Sequence, residues 1–447
     1  MLNTFHSAAG SLNTRRRFLK LAGGFFALLP VMSFSGVSSF SSRAKSAAGN
    51  SAYAGTDDQL LDEIERAAYT FFWEQAHPAT GFVKDRAGAS GSDKYTVSSV
   101  AATGFGLTAL SIADARGYAD SHAIQQRVLL TLESLASKAA RHQGFFYHFV
   151  DWSSGARAFK CELSSIDTAL LICGVLTARQ HFSSNAAIVA AATQLYQQVN
   201  WPWMLNGGET LSMGWTPESG FINSRWSHYC ELMMLYLLGI GSPAFALPPA
   251  SWKAWTRPSI TYQGITYISA GDPLFTHQYS HAWFDFRNQH DGYADYFQNS
   301  VKATQAHKLF CLSLQGQFPD YSQNLWGITA SDSAHGYLAW GGPPATGPID
   351  GSIVPCAAGG SIPFLPADCI AVLRNIRGSY PAAWGRYGFT DAFNPLTNWW
   401  NPDVLGIDQG ITMLMAENYR TGFVWNTFMA NPEMKAAMKL AGFRPNG

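Results

Sequence analysis

Apolar residues recur at intervals of one, three and four through Leu60, Leu61, Ile64, Ala67, Ala68, Phe71 and Phe72, a spacing that lays one stripe along a helix. The same spacing returns over about 97–116, 122–141, 162–180, 185–200, 227–239, 291–313, 366–378, 407–419 and 431–442. Between these segments lie long stretches rich in Gly, Pro, Trp and Asn rather than alternating runs of strand length. One such run, within 261–269, alternates around Gly264 and predicts a local hairpin. About a dozen helices with elaborate loops predict an all-α fold of helix pairs set in a ring, one rim free to carry the loops of a cleft. An irregular helical bundle shares this periodicity.

From Asp57 onward no low-complexity linker, charge block or shift in composition divides the chain, so 55–447 reads as one catalytic domain. Residues 1–54 read as an address and a disordered segment. Arg15, Arg16 and Arg17, followed by Phe18-Leu19-Lys20, have the form of a twin-arginine export signal. The apolar stretch behind them, Leu21 to Val37, is short and broken by Gly23, Gly24, Pro30 and Gly36. It suits a signal better than a membrane span. Cleavage at Ala52-Tyr53-Ala54, or earlier in 44–48, would leave a mature chain without a span in the periplasm or beyond it.

Charge changes the picture by subtraction. The net charge is zero, which gives no electrostatic reason to expect nucleic acid or an acidic surface. Only 13% of residues are charged, against about 25% in ordinary soluble domains. Aromatics reach 14%; most belong in the core, and the remainder can line a cleft where rings meet the C–H faces of a neutral sugar. Six scattered cysteines do not make a disulfide scaffold. Cys161, Cys173 and Cys230 read as buried thiols, whereas Cys356 and Cys369 are candidates for a bridge.

The chain has no Walker loop, dinucleotide fingerprint or Gly-x-Ser-x-Gly elbow. His277 and His281 share a helical spacing but lack the glutamate of a zinc protease; a metal held by them with Asp285 is disfavoured. What remains is carboxylates among apolar and aromatic residues, the pattern expected of glycoside hydrolysis. Glu231, among His228, Met234 and Leu235, suits a protonated general acid; the alternative is a buried glutamate paired with Arg225 or Arg287. Glu162 opens an apolar helix and either reaches the cleft or complements the helix terminus, while Asp167 reads as a buried anchor. Asp408 stands at a helix start, as an ionised base or an ordinary cap. Asp285, Asp291 and Asp332 are weaker candidates. Trp226, His228, His277, His281, Trp283, Asp285, Arg287 and Trp400 form the candidate substrate-binding set.

These stretches also carry a resemblance. The pieces are Phe72-Trp73-Glu74 with Gly81-Phe82, Ala102 to Leu110, Gly144 to Phe149, Glu162 to Leu171, Gly214-Trp215-Thr216-Pro217 and Trp283 to Arg287. Asn299-Ser300, Gly388 to Asn394, Gly406 to Gly410 and Glu417-Asn418-Tyr419 continue the series. From about Leu60 to the carboxyl terminus the chain resembles the bacterial glycoamylase-like domain, glycoside hydrolase family 144, typified by endo-β-1,2-glucanases. The resemblance implies an (α/α)6 toroidal barrel, no metal or organic cofactor, and inverting cleavage of β-1,2-glucan. A glucan or gluco-oligosaccharide is the expected partner, and a monomer the expected state. It also implies that Glu231 and Asp408 serve as acid and base, with Glu162 a further acidic position in the cleft. Transglycosylation, exo action releasing disaccharides, and glucan binding without catalysis are the alternatives.

Overall fold

A computed structural model describes residues 53–343 and 349–446; the export signal read at Arg15 to Arg17 lies outside the described residues. Twelve α-helices fall within them. They are α1 (Asp57–Glu74), α2 (Val100–Arg116), α3 (Ser121–Ser137), α4 (Ser165–His181), α5 (Ala186–Gln197) and α6 (Met233–Gly241). The second half supplies α7 (Tyr296–Ser313), α8 (Pro355–Gly359), α9 (Pro366–Ser379), α10 (Gly406–Arg420), α11 (Phe423–Phe428) and α12 (Pro432–Ala441). The fold is a helical barrel, the ring that the number of helices and their loops suggest, and not the irregular bundle that the periodicity alone allows.

Inner and outer helices differ as burial demands. Helices α2, α4, α6 and α10 are buried on nearly every face, whereas α1, α3, α5 and α12 bury one stripe and leave the rest to solvent. Outer helices pack back onto inner ones: α1 on α2 and α10, α5 on α4, and α12 on α6. The hydroxyls inside α2 and α4 bond to the carbonyl four residues earlier, as Thr103, Thr108, Ser111 and Thr177 do, so an all-round buried helix tolerates them. Helices α2 and α4 touch through glycine: a Cβ on Gly174 would lie 2.0 Å from the Gly104 carbonyl oxygen.

The predicted hairpin forms, with Ser259–Tyr262 paired antiparallel to Ile265–Ile268. Other strands are two or three residues long and stitch loops together. Several helices start later than their apolar pattern: α4 at Ser165, α6 at Met233 and α7 at Tyr296. Glu162 therefore precedes a short strand, Leu163–Ser164, and does not stand in the first turn of α4. Cys356 and Cys369, the candidate bridge, are both free buried thiols. Among the described residues no helix is long and apolar enough to cross a membrane.

Candidate active site

Short strands aim two of the inner helices. Leu163–Ser164 pairs with Gly214–Trp215 and leads into α4, while Asp403–Leu405 pairs with Arg86–Gly88 and leads into α10. The first turns of both helices border one cleft, about 870 Å³ of space partly open to solvent, which Asp167, Glu231 and Asp408 line together. Its apolar wall includes Ile166, Leu170, Met213, Trp226 and Ile407, and Tyr279 and Tyr337 also border it.

Glu231 occupies the turn before α6, whose start has no side-chain cap of its own. Ser280 supplies the missing partner: its Oγ accepts from the Met234 amide at 3.1 Å and donates to the Glu231 carbonyl at 2.7 Å. The turn is thereby fixed by a residue far away in sequence. Burial pushes the Glu231 carboxyl up to about 8, and the Asp272 and Asp167 carboxylates add to the rise. Its Oε2 finds no hydrogen-bond partner among the described residues. Neither arginine weighed as a partner reaches it: Arg225 donates to the Leu205 and Thr210 carbonyls, and Arg287 pairs with Asp285.

Asp167 belongs to the cleft wall as well as to the helix start. Ser164, the cap of α4, accepts from the Asp167 amide and donates its hydroxyl to Asp167 Oδ2 at 2.5 Å. His148 bridges two acids, with Nδ1 3.1 Å from Glu162 Oε1 and Nε2 3.5 Å from Asp167 Oδ1. Its ring lies flat against Phe149 at 3.9 Å. Glu162 is buried behind this histidine and is not among the residues lining the cleft.

Asp408 stands in the first turn of α10, where the sequence puts it. Beside it is a carboxylate group assembled from distant loops. Asp391 is 1% exposed, and its Oδ2 accepts from the Asp332 amide and from Asn401 Nδ2, both at 2.8 Å. Arg86 pairs with Asp332 at 2.7 Å and Asp85 at 3.1 Å, with Asp403 at 4.0 Å. Burial, with the Asp408 and Asp332 carboxylates, holds Asp391 well above the usual carboxylate range. Burial, with the Asp408 and Asp391 carboxyls, raises the Cys356 thiol, so it stays protonated in the cleft wall.

Of the candidate binding residues, Trp226 lines the cleft, and its Nε1 donates to Ser165 Oγ at 2.8 Å. The others are not among its lining residues. His228 lies 4.0 Å from Asp272. His277 bonds to Tyr229 and His281 to Ser300, and burial pushes both imidazoles down to about 3, leaving them neutral. Trp283 is buried in the core with its Nε1 on Thr108. Asp285 and Arg287 form an ion pair whose guanidinium covers Trp425, and Trp400 stacks on Phe393. Among the weaker acids, Asp291 accepts from Trp252 and Tyr296 and so braces a loop. Sequence reasoning missed His148, Tyr279, Tyr337 and Asp391. His148 and Asp391 sit inside stretches that carry the family resemblance, the only local signal they give.

Comparison with known proteins adds an independent line. Residues 223–432 match the glycoamylase family model, described as "Putative glucoamylase". The exo-β-1,2-glucooligosaccharide sophorohydrolase (non-reducing end) of Parabacteroides distasonis is 30% identical over 428 residues, covering 87% of this chain and 58% of that protein. The chain thus spans little more than half the length of that relative. The endo-β-1,2-glucanase of Chitinophaga pinensis, in complex with sophorotriose and glucose, superposes with a TM-score of 0.80 at 29% identity over 88% of this chain and 99% of that one. A β-1,2-glucanase from P. distasonis gives 0.81 at 29% identity, covering 87% and 60% of the respective chains.

Proposed function

From the premise that this chain carries a glucoamylase-like domain and is homologous to β-1,2-glucanases and sophorohydrolases, we propose that it is a glycoside hydrolase that cleaves β-1,2-glucan with inversion. The observation that carries the mechanism is a buried, proton-retaining Glu231 sharing one cleft with Asp408 at a helix start. Inversion needs an acid to protonate the departing oxygen and a carboxylate to activate water on the other face of the sugar. Glu231 holds a proton at neutral pH because water does not solvate its anion. Asp408 lies in the first turn of α10, where free amides and the helix dipole favour a carboxylate. Trp226 and the two tyrosines supply ring surface, and Asp167, braced by Ser164 and His148, accepts sugar hydroxyls. The resemblance of Arg15 to Lys20 to a twin-arginine signal supports a periplasmic or extracellular setting for this activity.

Reducing-sugar release from linear β-1,2-glucan, set against starch, laminarin and cellulose, tests the reading directly. We expect release from the first alone, with anomeric inversion in the initial product by NMR. Activity on starch without activity on β-1,2-glucan would overturn the substrate. Product lengths separate the two modes seen among relatives: a ladder for endo cleavage, a disaccharide alone for exo.

A further inference from the structure

Near Asp408 the fold gathers carboxyl groups from several loops. Asp85, Asp332 and Asp403 surround the guanidinium of Arg86, and Asp391 and Asp408 lie beyond it. Asp403 also accepts from Tyr95 at 2.7 Å, Asp332 from Asn401 at 3.2 Å, and the Cys356 thiol faces both Asp391 and Asp408. Two of the acids, Asp391 and Asp408, approach each other inside the protein, where two anions side by side are disfavoured.

The hydrogen bonds assign the atoms of Asp391. Its Oδ2 is occupied by two donors, the Asp332 amide and Asn401 Nδ2. Its Oδ1 is buried and meets no nitrogen or hydroxyl partner among the described residues; the group left for it is the Asp408 carboxyl. An oxygen that accepts twice is the carbonyl-like one. The other is where a proton belongs.

We propose that Asp391 is a positioning residue for the base: held as a neutral carboxylic acid, it donates its proton from Oδ1 to the Asp408 carboxylate, orienting that carboxylate and favouring its ionised form. No proton leaves Asp391 during turnover; it acts through Asp408 alone. The inference rests on the reading of Asp408 as base. Burial beside the Asp332 and Asp408 carboxylates, which holds Asp391 above the usual carboxylate range, agrees with it.

An asparagine is nearly isosteric with this neutral acid. Its amide oxygen can accept the same two donors and its amide N–H can reach Asp408. Asp391→Asn should therefore keep kcat on β-1,2-glucan within about fivefold of the parent and leave the acid limb of the kcat–pH profile in place. Asp391→Ala removes the donor and should lose kcat on the order of tenfold to a hundredfold, the range set by a hydrogen bond to a charged group. Its KM should change less than about twofold. With the donor gone the ionised base is less favoured, so the acid limb should move to higher pH by about one unit. A dead Asp391→Asn, or an unmoved limb in a folded Asp391→Ala, overturns the proposal. If the alanine variant does not fold, a second measurement decides: the infrared difference spectrum, parent minus Asp391→Asn at neutral pH, should carry the carbonyl band of a protonated carboxylic acid. That spectrum needs no substrate. If the parent cleaves no glucan, the functional reading fails while the spectrum still rules on the proton; absence of the band refutes the proposal.

Discussion

Glu231 differs from every surface glutamate of this chain because one of its oxygens is sealed from water without a donor in return. Folding lifts its carboxyl from an ordinary 4.5 to about 8, so the native state binds a proton that the unfolded chain has lost between those values. The stabilisation is complete below about 4.5 and is lost as pH rises through about 8. The parent's thermal midpoint should fall over that window, and Glu231→Gln should flatten the fall in a pH series of melts. The same variant and Asp408→Asn should each lose turnover by about a hundredfold or more, with oligosaccharide affinity largely kept in calorimetric titrations. An active Glu231→Gln would remove the acid from the mechanism. Glu231 was legible as an acid because its neighbours in sequence are apolar. Asp167 read as an internal anchor instead: a residue among leucines gives no sign of which helix face opens on a cleft. Asp391 was silent, because Asp332 is far from it along the chain and the fold alone brings them together.

The helices were legible as elements because an apolar stripe is a local property, fixed by the 3.6-residue period. Their starting points were less so. Helix α6 begins at Met233 because Ser280, from another part of the chain, satisfies an early amide, and no residue near 227 announces this. The short strands that aim α4 and α10 run for two or three residues, too few for an alternating pattern, so their pairing could not be read. The contact between α2 and α4 is the element-scale feature most open to test. A methyl group on Gly174 would meet the Gly104 carbonyl oxygen at 2.0 Å and its carbonyl carbon at 2.6 Å, with backbone that has no room to move aside. Gly174→Ala should destabilise the protein by about 1–3 kcal/mol, as overpacking does, and disturb α4, which carries Asp167. Gly316→Ala, at an exposed position with nothing within 4 Å of the added carbon, should stay within about 0.5 kcal/mol of the parent. Equal losses in chemical denaturation would show that the close approach of α2 and α4 is not what limits stability.

At the scale of the whole molecule, composition excluded more than it identified. The 30 basic residues equal the 30 acidic ones only when Arg15, Arg16, Arg17, Lys20, Arg43 and Lys45 of 1–54 are counted, and the cleft wall is mainly apolar, with Glu231 holding a proton and Asp167 bonded to Ser164. The ring of helices followed from their number and their loops. The linkage proposed did not follow from composition at all, since a neutral cleft lined by rings suits many sugars; it rests on the resemblance and on what the relatives act on. The neutrality of the proposed glucan nevertheless makes a distinct prediction about the encounter with substrate. Electrostatic steering raises association rates only when both partners carry charge, and salt then suppresses it because the screening length shrinks from roughly 30 Å at 0.01 M to 3 Å at 1 M. A neutral glucan has no such term to lose, whatever charge the protein carries. The buried pairs that shape the site, such as Arg86 with Asp332, are also screened far less than surface pairs. Initial rates on β-1,2-glucan well below KM, which report kcat/KM, should thus change less than about twofold between 0.01 and 1 M sodium chloride at fixed pH. A fall of tenfold or more would mean that charge guides the substrate in, and would point to a glucan bearing anionic substituents in place of the neutral polymer.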